Sequence, residues 1–188
     1  MKSVAIINNF FSNKWLAKAD MFCRVQRKSM VWTTNHTMFD ADLVEGSGII
    51  LINVIPSPFD NELHDYLLEK NILKKPAKFF TALLYVGHEN SYITWHRDGK
   101  TPYASDTRAA VSIYLNESWE SGWGGWFSWK EDGHKEVKNF IPEYNSAVML
   151  LQDAEHCTTP VTPAAKEKRV SFQLFFDRES LNDEYFKD

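Results

Sequence analysis

Apolar and polar positions change rhythm near residue 78. Before it, Val4–Ile7 reads as a short strand. Trp15, Ala19, Phe22 and Val25 recur near helical spacing within residues 14–28, with Ser12 or Asn13 available as the cap. Arg24, Arg27 and Lys28 are expected on the solvated side of that helix. Residues 30–42 are mixed and read as loop. Residues 48–55 form a continuous β-branched and aliphatic run broken only by Asn53, which predicts a buried strand ended by Pro56 and Pro58. Asp60 or Asn61 is the expected cap of a second helix through Leu63, Tyr66, Leu67 and Leu68, and residues 71–78 are a polar link.

From Phe79 onward the pattern is one of short strands and turns. Residues 81–85, 109–116 and 147–151 are strand-like, and residues 87–91 and 131–135 read as hairpin connections. Gly124 and Gly125 are expected to let a strand begin close against another backbone. Many short strands after two helices predict a mainly β protein with N-terminal helices, its strands rolled into a jelly-roll barrel. One domain spans 1–188: residues 1–78 as support, 79–178 as core, and 179–188 as an acidic tail with room for a short helix.

Composition narrows the function. The chain has 188 residues, 44% hydrophobic and 14% aromatic, enough for one sizeable core. Its net charge of −4 lacks the basic footprint of a nucleic-acid binder. Seven tryptophans suggest aromatic pocket walls as well as packing. Two distant cysteines, Cys23 and Cys157, imply no disulfide framework, so a reduced, cytoplasmic setting is the expectation. There is no apolar run of membrane-spanning length, and the patch at residues 3–7 lacks a signal-peptide pattern.

The candidate chemistry lies at His96-Arg97-Asp98 and His156. Side chains two apart on a strand share a face, so His96 and Asp98 can take adjacent positions on one metal. A distant imidazole, His156, completes a two-His, one-carboxylate face that leaves other positions open, the pattern of non-haem Fe(II) oxygenases. His134 is an alternative third ligand, but its neighbours are charged and turn-forming. Cys157 falls on the opposite strand face from His156. Arg169 opens an apolar strand, where a buried cation needs an anion, so it is the expected anchor of an acidic co-substrate. Lys166 and Lys168 are the fallback, in a turn that holds Pro160 and Pro163. Lys100, Tyr103 and Arg108 follow Asp98 closely, within or beside a loop (99–107) near the predicted metal, and are candidate substrate contacts; the alternative is that the loop is merely exposed.

The ordered set Tyr85, His96-x-Asp98, Tyr114-Leu115-Asn116, Gly124-Gly125, His156 and Arg169 resembles the 2-oxoglutarate- and Fe(II)-dependent dioxygenases, in their prolyl 4-hydroxylase-like branch. The resemblance covers about residues 79–177. It implies a double-stranded β-helix, cupin-like, with iron on the two histidines and Asp98. It implies Arg169 and Tyr114 on the distal carboxylate of 2-oxoglutarate, with Tyr85 beside them. It implies O2 as oxidant, succinate and CO2 as products, and ascorbate as a candidate reductant. The substrate it favours is a prolyl residue in a peptide or protein. A free amino acid or other small metabolite is the alternative.

Other readings are weaker. Halogenating relatives lack the carboxylate that Asp98 supplies. Nucleic-acid demethylases of the superfamily carry a second arginine in the last core strand, where this chain has residues 170–176 without one. His96-Arg97-Asp98 also spells a kinase catalytic loop, but no phosphate loop or Asp-Phe-Gly accompanies it, and Tyr103 stands where an asparagine is needed. A non-catalytic cupin-like barrel would keep the metal without needing Arg169 and Tyr114.

Overall fold

The structure is a computed structural model that describes residues 2–28, 32–38, 46–98, 108–131, 133–151 and 154–187. In chain order the elements are β1 (Val4–Ile7), α1 (Asn13–Gln26), β2 (Thr33–Thr34), α2 (Asn35–Met38), β3 (Ile50–Val54), α3 (Phe59–Glu69), β4 (Phe80–Gly87), β5 (Ile93–His96), β6 (Arg108–Tyr114), β7 (Phe127–Lys130), β8 (Val137–Phe140), β9 (Ser146–Leu151), β10 (Glu155–Thr158) and β11 (Arg169–Asp177). All strand pairs are antiparallel. A seven-stranded sheet runs β1-β9-β6-β11-β4-β3-β2, and a four-stranded sheet runs β5-β10-β7-β8. This is the expected mainly β, jelly-roll architecture, in which the chain passes from sheet to sheet between β4 and β7 and again between β8 and β11.

Period-two alternation divides the large sheet into two functions. On its outer face, Val170, Phe172, Leu174 and Phe176 of β11 and Ala82, Leu84 and Val86 of β4 pack with Phe10, Phe11 and the helices. There α3 contributes Leu63, Tyr66 and Leu67, and α1 contributes Ala19 and Cys23. Phe22 stacks on Phe59 at 4.3 Å, and Phe172 meets both rings edge-on at 6.0 Å. Each fully buried valine, leucine or phenylalanine among them stabilises the fold by about 1.5–3 kcal/mol. The inner face is different. Thr81, Leu83 and Tyr85 of β4, Ala110, Ser112 and Tyr114 of β6, and Gln173 and Phe175 of β11 line a cavity between the sheets.

Several local expectations shift. The second helix starts at Phe59, not at Asp60 or Asn61. Its first-turn amides of Phe59 and Glu62 donate to the carbonyls of Pro56 and Pro58, so no side-chain cap is required. Val25, read as part of the apolar stripe of α1, is exposed. The run at 48–55 is not buried throughout: β3 alternates, and Ile49 is 62% exposed. Residues 33–38, read as loop, hold β2 and α2. The acidic terminus, read as a tail with room for a short helix, packs against the core. Short 3-10 turns at Arg178–Ser180 and Asp183–Phe186 seat Leu181 and Phe186 in the core, and Phe186 O accepts from the backbone of Lys2. Its carboxylates face outward while its apolar residues face in.

Candidate active site

Strand β10 carries His156 beside His96 of β5 in direct register. The two rings lie 4.1 Å apart, tilted by 51°. Strand β5 ends at His96, so Asp98 approaches from the turn that follows rather than from the strand itself. Its two oxygens lie 3.6 Å from His96 Nε2 and 3.9 Å from His156 Nε2. One donor atom from each of the three residues falls within 4.8 Å of the others, a spacing that could hold a metal ion.

The ring nitrogens are already sorted. His96 Nδ1 lies 2.8 Å from the carbonyl of Thr94, and His156 Nδ1 lies 3.0 Å from that of Ala154. A carbonyl can only accept, so each Nδ1 carries a proton, and in the neutral ring the lone pair is left on Nε2, on the side of Asp98. Phe127 stacks against His156 at 5.5 Å and holds its plane. Burial pushes His156 down to about 4, with the neighbouring His96 adding to that and Asp98 opposing it. Burial also lowers the pKa of His96, but the hydrogen bond and charge of Asp98 outweigh it and leave it above the ordinary value. Asp98 is held below the usual carboxylate range: burial raises it, and His156, His96 and Arg108 together lower it further. Two neutral-capable imidazoles and one ionised carboxylate form a donor set of borderline hardness suited to Fe(II).

The rest of the expected set converges on the same cavity, of about 340 Å³. Arg169 is buried at the start of β11, where burial lowers its pKa. Its Nε donates to the carbonyl of Gly125 at 2.8 Å. Gly125 has a φ of +64°, and a Cβ there would lie 2.9 Å from Arg169 Cδ. Gly124 crosses Pro160 so closely that a Cβ would sit 2.0 Å from its carbonyl oxygen. The glycine pair thus permits the close backbone approach expected of it, and it also fixes the arginine. Among the described residues no carboxylate pairs with Arg169; its guanidinium lies 5.0 Å from the ring centre of Tyr114. The Tyr114 hydroxyl is buried near Arg169 and Ser112 but makes no hydrogen bond of ordinary geometry. A buried cation and an orphaned hydroxyl facing one cavity are what an acidic ligand would satisfy. Tyr85 lies on the neighbouring strand, its ionisation suppressed first by burial and then by Asp98.

Of the other expected residues, Arg108 lines the cavity and lies over the ring of Phe79 at 5.6 Å. Lys100, Tyr103 and the loop 99–107 lie outside the described residues. His134, Lys166 and Lys168 are exposed. Cys157 is buried and points away from the cavity side of β10, and both cysteines are free. Sequence reasoning passed over Ser112, Gln173 and Phe127. The first two could have been found by extending the period-two face of Tyr114 and Arg169 along their own strands.

Two imidazoles and a carboxylate converging on the cavity of such a barrel fit a mononuclear non-haem iron site. The profile of the 2OG-Fe(II) oxygenase superfamily matches residues 80–177, just over half of the chain. The chain belongs to that superfamily, whose members are dioxygenases that use iron and 2-oxoglutarate. No curated protein matches it by sequence similarity. Among solved structures, a Pseudomonas putida prolyl-4-hydroxylase aligns with a TM-score of 0.70 at 15% identity, over 95% of this chain and 94% of that one. A Trichoplax adhaerens prolyl hydroxylase, in complex with a hypoxia inducible factor oxygen degradation domain peptide fragment, aligns with a TM-score of 0.72 at 17% identity, over 94% of this chain and 84% of that one. HygX from Streptomyces hygroscopicus, with nickel and 2-oxoglutarate bound, gives 0.66 at 11% identity, over 94% and 83%. At such identities the likeness is one of fold. Among the described residues no helix is long and apolar enough to cross a membrane.

Proposed function

We propose that the protein hydroxylates an aliphatic C–H bond, that of a prolyl residue in a peptide or protein, at an iron site formed by His96, Asp98 and His156. The observation that carries this reading is the convergence of those three donor groups, within 4.8 Å, on a cavity that also holds Arg169 and the partnerless hydroxyl of Tyr114. When bound, iron and 2-oxoglutarate supply the oxidising power for C–H cleavage, with O2 consumed and succinate and CO2 released. The residues do the rest. His96 and His156 present Nε2 lone pairs fixed by their carbonyl partners, and Asp98 supplies the anionic ligand. Arg169 would hold the distal carboxylate of 2-oxoglutarate through a fork that a lysine lacks, and Tyr114 would donate to the same group. The apolar walls, Leu83, Leu150 and Phe175 among them, exclude water and receive the substrate.

The prolyl assignment draws on the two hydroxylases whose folds align, one of them seen with a peptide. Hydroxylation of a free amino acid or small metabolite is the second reading, favoured by the modest size of the cavity, about 340 Å³.

The test is an anaerobic titration with Fe(II) and then 2-oxoglutarate, following the visible charge-transfer band of the chelate. The band is expected in the wild type, absent in His96→Ala, and shifted to higher 2-oxoglutarate concentration in Arg169→Ala. Bound iron with no band would point instead to a barrel without co-substrate chemistry. Failure to bind iron under reducing conditions would remove the site assignment.

A further inference from the structure

The inner face of the large sheet is arranged in rows across three strands. Ser171 lies between Tyr85 and Tyr114; Gln173 lies between Leu83 and Ser112; Phe175 lies between Thr81 and Ala110. Arg169 stands at the end beyond the tyrosine row. The rows therefore pass from a cationic and hydroxyl-bearing end, through a single amide, to an apolar end.

That amide is held unusually firmly. Gln173 Oε1 accepts from Ser112 Oγ at 2.6 Å, and its Nε2 donates to Ser171 Oγ at 3.0 Å. Ser171 is fully buried behind it, and Gln173 itself is only 9% exposed. Fixing a long polar side chain in such a place costs rotamer freedom, and its burial is tolerable only with partners. Two serines supply those partners and leave something over. A carboxamide has two N–H donors and two acceptor lone pairs. One of each is taken, and among the described residues nothing takes the others. The side chain lines the same cavity as the His96–Asp98–His156 cluster, which is carried by the opposing sheet.

We propose that Gln173 is a substrate-binding, specificity-determining residue that holds a backbone amide of the substrate, with Ser112 and Ser171 as its positioning residues. A spare donor beside a spare acceptor is the complement of a peptide group. The amide sits between the co-substrate end and the apolar end, so it grips the substrate next to the carbon presented to the iron site. The chemical class selected is peptidyl: an aliphatic ring or side chain for the apolar row, with a peptide group one row away. A hydrocarbon without such a group would leave the buried amide unpaired, and sites of this kind reject analogues that lack the matching group. The proposal rests on the peptidyl-hydroxylase reading above.

The test uses the full chain loaded with Fe(II) and 2-oxoglutarate and a pool of capped pentapeptides with a central proline and randomised flanks. Hydroxylated peptide and succinate are measured together. In Gln173→Leu, hydroxylated product per succinate is expected to fall tenfold or more, while the 2-oxoglutarate concentration that half-saturates the visible band stays within twofold. Ser112→Ala, which removes one anchor and leaves the amide, is expected to give a smaller fall of the same kind and guards against misfolding of the first variant. A peptide whose prolyl carbonyl is reduced to a methylene is expected to be a poor substrate for the wild type and to lose nothing further in Gln173→Leu. Wild-type product ratio and KM in both variants would overturn the role of Gln173 while leaving the peptidyl reading intact. A wild type that forms the band but hydroxylates no peptide in the pool would overturn the peptidyl reading and this proposal with it. Absence of the band in the wild type would instead locate the failure at the iron and 2-oxoglutarate assignment.

Discussion

Each imidazole of the cluster bonds through Nδ1 to a carbonyl two residues earlier in the chain, so the backbone of β5 and of the approach to β10 fixes each ring with Nε2 toward Asp98. Arg169 is prepared in the same way. With its Nε committed to Gly125, only the two terminal amino groups turn to the cavity, and those form the fork that matches a carboxylate. Arg169→Lys keeps the charge and loses the fork. Its affinity for 2-oxoglutarate is expected to fall by about one to two powers of ten, or about 1.4–2.8 kcal/mol, with Fe(II) affinity unchanged. The anaerobic band titration measures both, and an unaltered 2-oxoglutarate midpoint would exclude the arginine as anchor. Tyr114 makes the opposite point. Its buried hydroxyl has no hydrogen bond in the free protein. Removing it in Tyr114→Phe is therefore expected to leave the free protein as stable or to stabilise it by up to about 1 kcal/mol, while 2-oxoglutarate binding weakens severalfold. Urea denaturation paired with the same titration reads both effects, and a destabilised variant with unchanged binding would contradict the assignment.

At the scale of elements, β11 holds most of the logic of the site, because one strand serves two environments. Val170, Phe172, Leu174 and Phe176 face the helices, and Arg169, Ser171, Gln173 and Phe175 face the barrel interior. Alternation of this kind is local, and so β4, β6, β9 and β11 were legible from their residues alone; His96, Asp98, His156 and Arg169 stood out by chemical type and order, and the fold brings them to one cavity. What pairing partners decide was not legible. Nothing in residues 4–7 announces that β1 will close the edge of the large sheet against β9, and nothing in residues 33–38 announces β2 and α2. The start of α3 was misplaced because the carbonyls of Pro56 and Pro58 take the amides of Phe59 and Glu62, which puts Asp60 inside the first turn, where it accepts from Asn61 N–H. Gly124 lay between these cases: its need for space could be read, but not the carbonyl of Pro160 that creates it. Gly124→Ala would set a Cβ 2.0 Å from that carbonyl, at a backbone φ of +66°. The crossing must open, costing about 1–3 kcal/mol for the strained backbone alone. Because the same turn carries the Gly125 carbonyl to Arg169, 2-oxoglutarate affinity is expected to fall along with thermal stability. A variant that lost stability with the arginine site intact would show that the two glycines act separately.

Over the whole molecule, the fold is closed where the C-terminal turns meet the start of the chain and the link before β4. The amide of Lys2 reaches Phe186, Leu73 pairs with Leu181, and Lys74 N–H donates to Ser180. Asp177, the last residue of β11, is central to that closure. Its carboxylate accepts from the backbone N–H of Lys78 at 2.5 Å, just before β4, and from Ser180 Oγ at 2.7 Å, in the turn that follows β11. Burial pushes this carboxyl up, but the hydrogen bonds from Ser180, Lys78 and Phe79 outweigh it and hold the pKa below the ordinary value. A carboxylate whose folded pKa is depressed contributes stability that is fully present above its unfolded pKa, about 4, and is lost as pH falls through the lower folded value. Asp177→Asn keeps the shape, removes the charge and leaves one amide nitrogen facing a donor. It is expected to cost about 1–3 kcal/mol at neutral pH. As the wild-type carboxyl becomes protonated in acid, the gap between the two proteins should close from the wild-type side. Urea denaturation of both proteins at pH 7 and at successively lower pH follows that gap. A difference that stays constant through the acid range would mean that packing of the C-terminal turns, and not the charge on Asp177, is what ties the last core strand to the ends of the chain.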